Sequence, residues 1–333
     1  MKIIIRAPNW LGDAALAVPA LKDIQHNFPQ AKITILGQAW AKELYQSLGF
    51  IQEYIPLQPL HKPRDYWLAS HHLREGKFDL AILLTNSFAS ALLLTLARIP
   101  QRWGYAKDGR SFLLTKTASP PSGPIHQVEY YRQLLQQVGC SLSSPGVENF
   151  SLSLPSTKNQ RTSLAATFHL DADRPWVILH PGAAYGPAKR WPPKYFSELA
   201  GELLNRGLEV IIIGTAEDIP LVEQISSPLS PSPKNLCGQT SLSTLLQLLQ
   251  EASLVVANDS GPLHLANLLQ TPVVALFGPT DPRVTGPYRQ PAVVLKKEAP
   301  CWPCRYQTCP FDHRCLTSIA PEEVLAAAEK FIG

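Results

Sequence analysis

Asp13 stands in the segment Ala7-Pro8-Asn9-Trp10-Leu11-Gly12-Asp13, just after the apolar residues Ile3 to Ile5 and where a helix is expected to start. A carboxylate there has two readings. It can cap the helix, since Asp is a preferred N-cap residue, or it can act as a general base that takes the proton of a sugar hydroxyl. Three further segments have the residue types of an anion site. In Pro181-Gly182-Ala183-Ala184-Tyr185-Gly186-Pro187-Ala188-Lys189-Arg190-Trp191, small residues let backbone amides approach a phosphate, and Lys189 and Arg190 add positive charge. In Asn258-Asp259-Ser260-Gly261-Pro262-Leu263-His264, Asp259 or Ser260 can cap the helix that comes next, Gly261 leaves room for a ligand, and the first-turn amides suit a diphosphate. The segment Phe277-Gly278-Pro279-Thr280-Asp281-Pro282 is a third glycine loop suited to phosphate contacts. None of them is a Walker loop or a GxGxxG turn, which disfavours a dehydrogenase.

These segments need strands and helices to aim them. Strands are expected at Lys2–Ile5, Lys32–Leu36, Glu53–Ile55 and Leu80–Leu84, with helices over Asp13–Asn27, Ala39–Leu48, Tyr66–Glu75 and Val128–Val138. The pattern restarts with strands at Trp176–His180, Glu209–Ile213, Leu254–Ala257 and Val273–Phe277. Helices over Pro193–Asn205, Ile219–Ile225, Ser241–Glu251 and His264–Leu269 go with them, and a last helix spans Pro321–Ile332. Strand and helix alternating in this way predict an α/β fold of two Rossmann-like domains, each a parallel sheet covered by helices, facing each other across a cleft. The expected domains are 1–155 and 156–333, with the last helix packing back on the first. Ligands bind at the carboxyl ends of such strands, which is where the four loops begin.

The bulk properties agree. The 333 residues, 45% of them hydrophobic, suffice for two cores, and a charged fraction of only 17% is that of a folded chain. No apolar stretch reaches the length of a signal-peptide core or a bilayer span, so a cytoplasmic protein is expected. Residues 1–155 hold 15 Lys and Arg against 10 Asp and Glu, which suits an anionic partner on the first half as well as it suits an ordinary solvated surface. No basic run interleaved with aromatic residues points to nucleic acid.

Four of the six cysteines, Cys301, Cys304, Cys309 and Cys315, fall within one short stretch that also holds His313. The spacing suits a structural zinc ion, less well an iron–sulfur cluster, and equally a loop of reduced thiols; cytoplasmic conditions argue against disulfides.

Taken together, NWLGDAALAVPAL, LLTNSFASALL, ARIPQRWGY, HPGAAYGPAKRWPPKYF, NDSGPLHLANLLQTPVVALFGPTDP and CLTSIAPEEV resemble the bacterial heptosyltransferases of glycosyltransferase family 9 over nearly the whole length. GPAKRWP and NSFASAL are most like the subgroup that adds the second inner-core heptose. The resemblance implies a GT-B fold and single-displacement, inverting transfer of heptose from ADP-heptose to the heptosyl-Kdo-lipid A inner core of lipopolysaccharide. It implies the acceptor on the first domain, the donor on the second, no cofactor, and peripheral contact with the inner membrane through the acceptor. Asp13 matches the family's proposed base, Lys189 the lysine on the donor phosphate, Glu217 the acid on the adenosine ribose, and Asp259 the residue near the heptose hydroxyls. Arg190, Ser260, Gly261 and His264 complete the donor set. Arg64, Arg98, Arg102 and Arg110 are the candidate contacts for acceptor carboxylates and phosphates, because guanidinium binds both through paired hydrogen bonds. With Lys189 and helix amides to stabilise the leaving group, and Asp171-Ala172-Asp173 read as a turn, metal-independent transfer is expected. Another family 9 transferase, including the enzyme for the first heptose, is the near alternative. A nucleotide-sugar epimerase, which would act on the donor alone and need no lipid-linked acceptor, and a nonenzymatic nucleotide-binding module, which would not require a carboxylate such as Asp13 opposite the donor loops, are more remote.

Overall fold

Runs such as Lys2–Arg6 and Trp176–His180 are almost continuously Ile, Val and Leu, a composition that only burial on both faces can use. A computed structural model, describing residues 1–143, 151–152, 154 and 159–332, shows them at the centres of two parallel sheets. The strands of the first are β1 (Lys2–Arg6), β2 (Lys32–Gly37), β3 (Glu53–Pro56), β4 (Leu80–Leu83), β5 (Gln101–Tyr105) and β6 (Lys116–Ala118). The strands of the second are β7 (Trp176–His180), β8 (Glu209–Ile212), β9 (Lys234–Asn235), β10 (Leu254–Asn258), β11 (Val273–Phe277) and β12 (Ala292–Lys296). Their orders are β3-β2-β1-β4-β5-β6 and β12-β11-β10-β7-β8-β9. Counted from its own first strand, each sheet therefore has the doubly wound Rossmann order.

The chain divides into two compact units, residues 1–150 and 151–333. The boundary expected at 155/156 lies outside the described residues. Among the described residues no helix is long and apolar enough to cross a membrane. The last helix, Pro321–Ile332, buries Val324, Ala327 and Ala328 in the core of the second unit, against helix Pro193–Asn205 and strands β10 and β11.

Several elements differ from expectation for identifiable reasons. The helix expected over Asp13–Asn27 is two helices, Leu11–Leu16 and Val18–Asn27. Pro19 lies in the first turn of the second, where its missing N–H is tolerated, and it has no amide with which to continue the first. Strands β5, β6 and β9 escape a hydrophobicity reading because they lie toward or at sheet edges and are only partly buried. Helix Phe88–Leu96 escapes it because Ala and Leu occupy nearly all of its faces, leaving no 3.6-residue period to see.

The topology decides where the loops meet. β11, β10 and β7 are neighbours in register, with Val256 between Leu179 and Val274, so the loops that leave their carboxyl ends emerge side by side.

In the first unit, helix Val18–Asn27 is tied to helix Gln127–Gln137 by a buried ion pair, Arg132 Nε to Asp23 Oδ2 at 2.8 Å, while the Ser143 amide donates to Asp23 Oδ1 at 2.9 Å. Both side chains are nearly or fully inaccessible, so removing Asp23 leaves the buried Arg132 with the Ser143 carbonyl and the more distant Glu129 carboxylate, 3.8 Å away, in a low-dielectric interior. Asp23→Ala should lower the stability of this unit by about 3–5 kcal/mol, measured by urea unfolding. A loss under about 1 kcal/mol would show that Arg132 finds another partner.

Candidate functional site

The loop after β7 runs from Pro181 to Trp191, and one buried side chain closes it. Asn258, at the end of β10, accepts from the Trp191 amide at 3.0 Å and donates to the Pro181 carbonyl at 2.8 Å. Trp191 is wholly buried in the core, edge-on to Phe196, and its indole N–H donates to the Ile319 carbonyl at 2.9 Å. With both ends fixed, the short turn Pro187–Lys189 presents Lys189 toward Asp259. At Gly182 an added Cβ would sit 2.8 Å from the Asp218 carboxylate, which would have to shift.

Asp259 is the electrostatic centre of this unit. It is 4% exposed, yet three neighbours converge on it. Lys189 Nζ lies 2.5 Å from Oδ2, the Thr280 hydroxyl donates to Oδ2 at 2.6 Å, and His264 Nε2 lies 3.5 Å from Oδ1. Burial alone would raise the carboxyl's pKa. The His264 hydrogen bond and the charge and hydrogen bond of Lys189 outweigh it and pull the group down to about 2. Lys189 also lies over the Tyr185 ring, 4.9 Å from its centroid.

The other expected cap, Ser260, does not cap either. Its hydroxyl bonds the Asn258 carbonyl at 2.9 Å and meets His180 Nδ1 at 3.0 Å, and helix Gly261–Leu268 starts with no side-chain cap. Asp259 being occupied as well, neither residue caps the helix. First-turn amides without a side-chain cap are donors suited to an anion such as a diphosphate. His180 is buried and its pKa is pushed down to about 4, chiefly by burial, with Arg190 adding to the effect and Asp218 opposing it. Arg190 lies 3.6 Å from Asp218, which itself accepts from the Thr215 amide at 2.9 Å and so fixes the turn Ala216–Asp218. Glu217 is on this turn and exposed. The structure thus brings Lys189, Asp259, Ser260, Gly261 and His264 together, with Arg190 next to Lys189 on the same loop and Glu217 on a neighbouring one. Asn258, Thr280, Tyr185 and His180 were not singled out by sequence. Thr280 and Asn258 lie inside motifs that were, and only the fold shows which side chains turn inward.

In the first unit Asp13 is not the N-cap residue. Trp10 occupies that position, and Asp13 lies in the first turn of Leu11–Leu16, half-buried near two buried phenols. Tyr131 and Tyr45 are pushed well up, first by burial and further by the Asp13 carboxylate. Of the four arginines, Arg64 and Arg98 are exposed. Arg110 needs correction as a ligand contact, while Arg102 is half-buried with two of its donors engaged. Arg110 is 0% exposed, with its guanidinium on the carbonyls of Thr85 at 2.5 Å, Tyr105 at 3.2 Å and Ser87 at 3.3 Å. Arg102 donates to the carbonyls of Leu113, at 2.7 Å, and Ile99. Donors spent on backbone oxygens brace loops and are not presented to a ligand.

Cys301, Cys304, Cys309, Cys315 and His313 line one cavity of about 230 Å³. All four cysteines are free thiols, and among the described residues no three Cys, His, Asp or Glu side chains are arranged to hold a metal ion.

Two Rossmann sheets, one of them bearing a cationic loop, a buried acid and an uncapped helix start, form a fold of the GT-B type. Comparison with known proteins gives the family. Residues 67–314 match the model of glycosyltransferase family 9 (heptosyltransferase), and the chain belongs to that family. It is 32% identical to lipopolysaccharide heptosyltransferase 2 of Salmonella typhimurium, over 98% of this chain and 97% of that one. The solved structure of E. coli ADP-heptose lps heptosyltransferase II superposes with a TM-score of 0.85 at 29% identity, covering 100% of this chain and 98% of the other. UDP-GlcNAc 2-epimerase from Methanocaldococcus jannaschii has a TM-score of 0.59 at 13% identity, covering 100% of this chain and 93% of that one, a likeness of fold alone.

Two acid-sensitive groups result from this geometry. His180 binds its proton less readily folded than unfolded, so its contribution is present near neutrality and is lost as pH falls from about 6.5 to about 4. Asp259 holds its charge more firmly folded than unfolded, so its contribution persists to about pH 4 and is lost on the way to about 2. Denaturant unfolding across this range should show two successive losses, with His180→Asn lacking the first and Asp259→Asn the second. Parallel curves for wild type and variants would refute the assignment.

Proposed function

We propose that this chain transfers a heptose from ADP-heptose to the heptosyl-Kdo-lipid A inner core of lipopolysaccharide. The observation that carries the reading is the Lys189–Asp259–Thr280 cluster beside the uncapped start of helix Gly261–Leu268, in a chain of this family. Likeness to heptosyltransferase 2 over nearly the whole length supports the second heptose over the first, and the low identity to the epimerase makes isomerisation of the donor the weaker reading.

The donor belongs to the second unit. Lys189 and the first-turn amides at Gly261 neutralise the diphosphate, Arg190 adds charge, Glu217 holds the ribose, and Asp259, fixed by its three partners, faces the heptose hydroxyls. His264 and Ser260 support that loop. The acceptor belongs to the first unit, where exposed Arg64 and Arg98 suit carboxylates and phosphates. Asp13 takes the proton of the acceptor hydroxyl as its oxygen attacks the anomeric carbon, the bond to the phosphate oxygen breaks, and ADP leaves with inversion. Charge developing on the diphosphate meets fixed cationic groups, so the chain supplies this stabilisation without a metal ion. A lipid-linked acceptor places the enzyme in the cytoplasm at the inner face of the inner membrane.

The test is purified protein with ADP-heptose and heptosyl-Kdo-lipid A, followed by mass spectrometry of the glycolipid. One added heptose, in the presence of a chelator as well, supports the reading; no increment sinks it.

Within this scheme the two halves have separable signatures. Asp13→Asn should lower kcat by about two to four powers of ten while ADP-heptose affinity changes little. Near wild-type turnover would leave Asp13 a structural first-turn residue. Lys189→Ala should instead raise the KM for ADP-heptose more than that for the acceptor, and neutralising Arg64 and Arg98 should do the reverse. Steady-state kinetics with each substrate varied in turn decides both.

A further inference from the structure

The turn that carries Lys189 is one turn of 3₁₀ helix, held by its own bonds from Lys189 N to Gly186 O at 3.2 Å and from Arg190 N to Pro187 O at 3.0 Å. So short a turn is not self-supporting in water. Its remaining support comes from far along the chain. The Ala188 amide donates to the Gln307 carbonyl at 3.0 Å, and the Ala188 carbonyl accepts from His313 Nε2 at 2.6 Å, so the residue next to Lys189 is held on both sides by the cysteine-rich segment. The Tyr185 hydroxyl, whose ring lies beneath Lys189, donates to the Arg305 carbonyl at 2.6 Å. Gly186 has φ +153°, and a Cβ there would run into the Gln307 carbonyl, so the two backbones touch.

The same segment holds the other side of Asp259. The Arg305 amide donates to the Pro279 carbonyl at 3.1 Å, and the Trp302 indole N–H donates to the Thr280 carbonyl at 3.2 Å. Thr280 is the residue whose hydroxyl bonds Asp259. Residues 302–313 thus reach both arms of the Lys189–Asp259–Thr280 cluster without contributing a side chain to it.

We infer that the cysteine-rich segment 302–313 is a clamp that presets the donor site, with His313 as a positioning residue that fixes Lys189 through the Ala188 carbonyl. For that bond Nε2 must carry the proton, since the carbonyl can only accept. The clamp acts on where Lys189 stands before the donor arrives, so its loss appears in donor binding more than in the chemical step. This role rests on the donor reading given above.

The test uses the full chain and begins without ligand. In His313→Ala, amide hydrogen exchange over residues 183–191 should quicken while exchange in strands β7 and β10 stays as in wild type. His313→Gln, whose amide N–H can reach the same carbonyl, should restore slow exchange. Calorimetric titration with ADP should then show about fivefold weaker binding for the Ala variant, the size expected for one lost hydrogen bond, and recovery in the Gln variant. Tyr185→Phe, which removes a second bond of the clamp and keeps the ring, should shift both readouts in the same direction by less. Unchanged exchange over 183–191 in both His313→Ala and Tyr185→Phe overturns the clamp. Faster exchange with unaltered ADP affinity overturns its positioning role. If wild type itself fails to bind ADP, the donor reading falls, and the exchange data still judge the clamp.

Discussion

A carboxylate that is almost wholly buried and still ionised constrains everything around it. Removing Asp259 from water would cost several kcal/mol if nothing compensated. The compensation is specific: an ammonium, a hydroxyl and an imidazole, brought in from the elements around it. Those elements begin at the carboxyl ends of β7, β10 and β11, so the ion cluster and the strand order need each other. A sheet in another order would separate Lys189 from Asp259, and without the cluster the Pro181–Trp191 loop would lose the ion pair that directs its lysine.

Each unit repeats the same strand order, and the two differ in how the chain leaves its first strand. After β1 the chain turns at once into the six-residue helix Leu11–Leu16, leaving one half-buried carboxylate beside buried phenols. After β7 it makes a long loop that must be pinned by Asn258 and by the burial of Trp191. The first arrangement suits a group that exchanges a proton. The second suits a cation that must be held in one place.

How much of this was legible in the sequence depends on how each residue is used. Central strands were legible because burial on both faces demands Ile, Val and Leu, and helix Pro193–Asn205 because its single buried face leaves a 3.6-residue period. The loops after β7, β10 and β11 were legible because small residues next to cations and acids have few other uses. The break before Pro19 was missed because the apolar period runs through it. The arginines were the hardest to place. Arg64, Arg98, Arg102 and Arg110 look alike in sequence, yet Arg110 spends its donors on three carbonyls in the interior, and no local pattern tells such a brace from a ligand contact.

The cysteines show the same ambiguity resolved by environment. Their spacing suits a structural metal ion as well as a loop of reduced thiols, and in this structure all four are free thiols. Desolvation, with the neighbouring thiols adding, pushes Cys301 up, and Cys315 rises to about 11 for the same reasons in the same order. A protonated thiol behaves as a small apolar side chain with a weak S–H donor. The four cysteines line one cavity, and amides and carbonyls of residues 302–313 bond the loops that carry Lys189 and Thr280. The segment braces those loops through its main chain and through the side chains of His313 and Trp302.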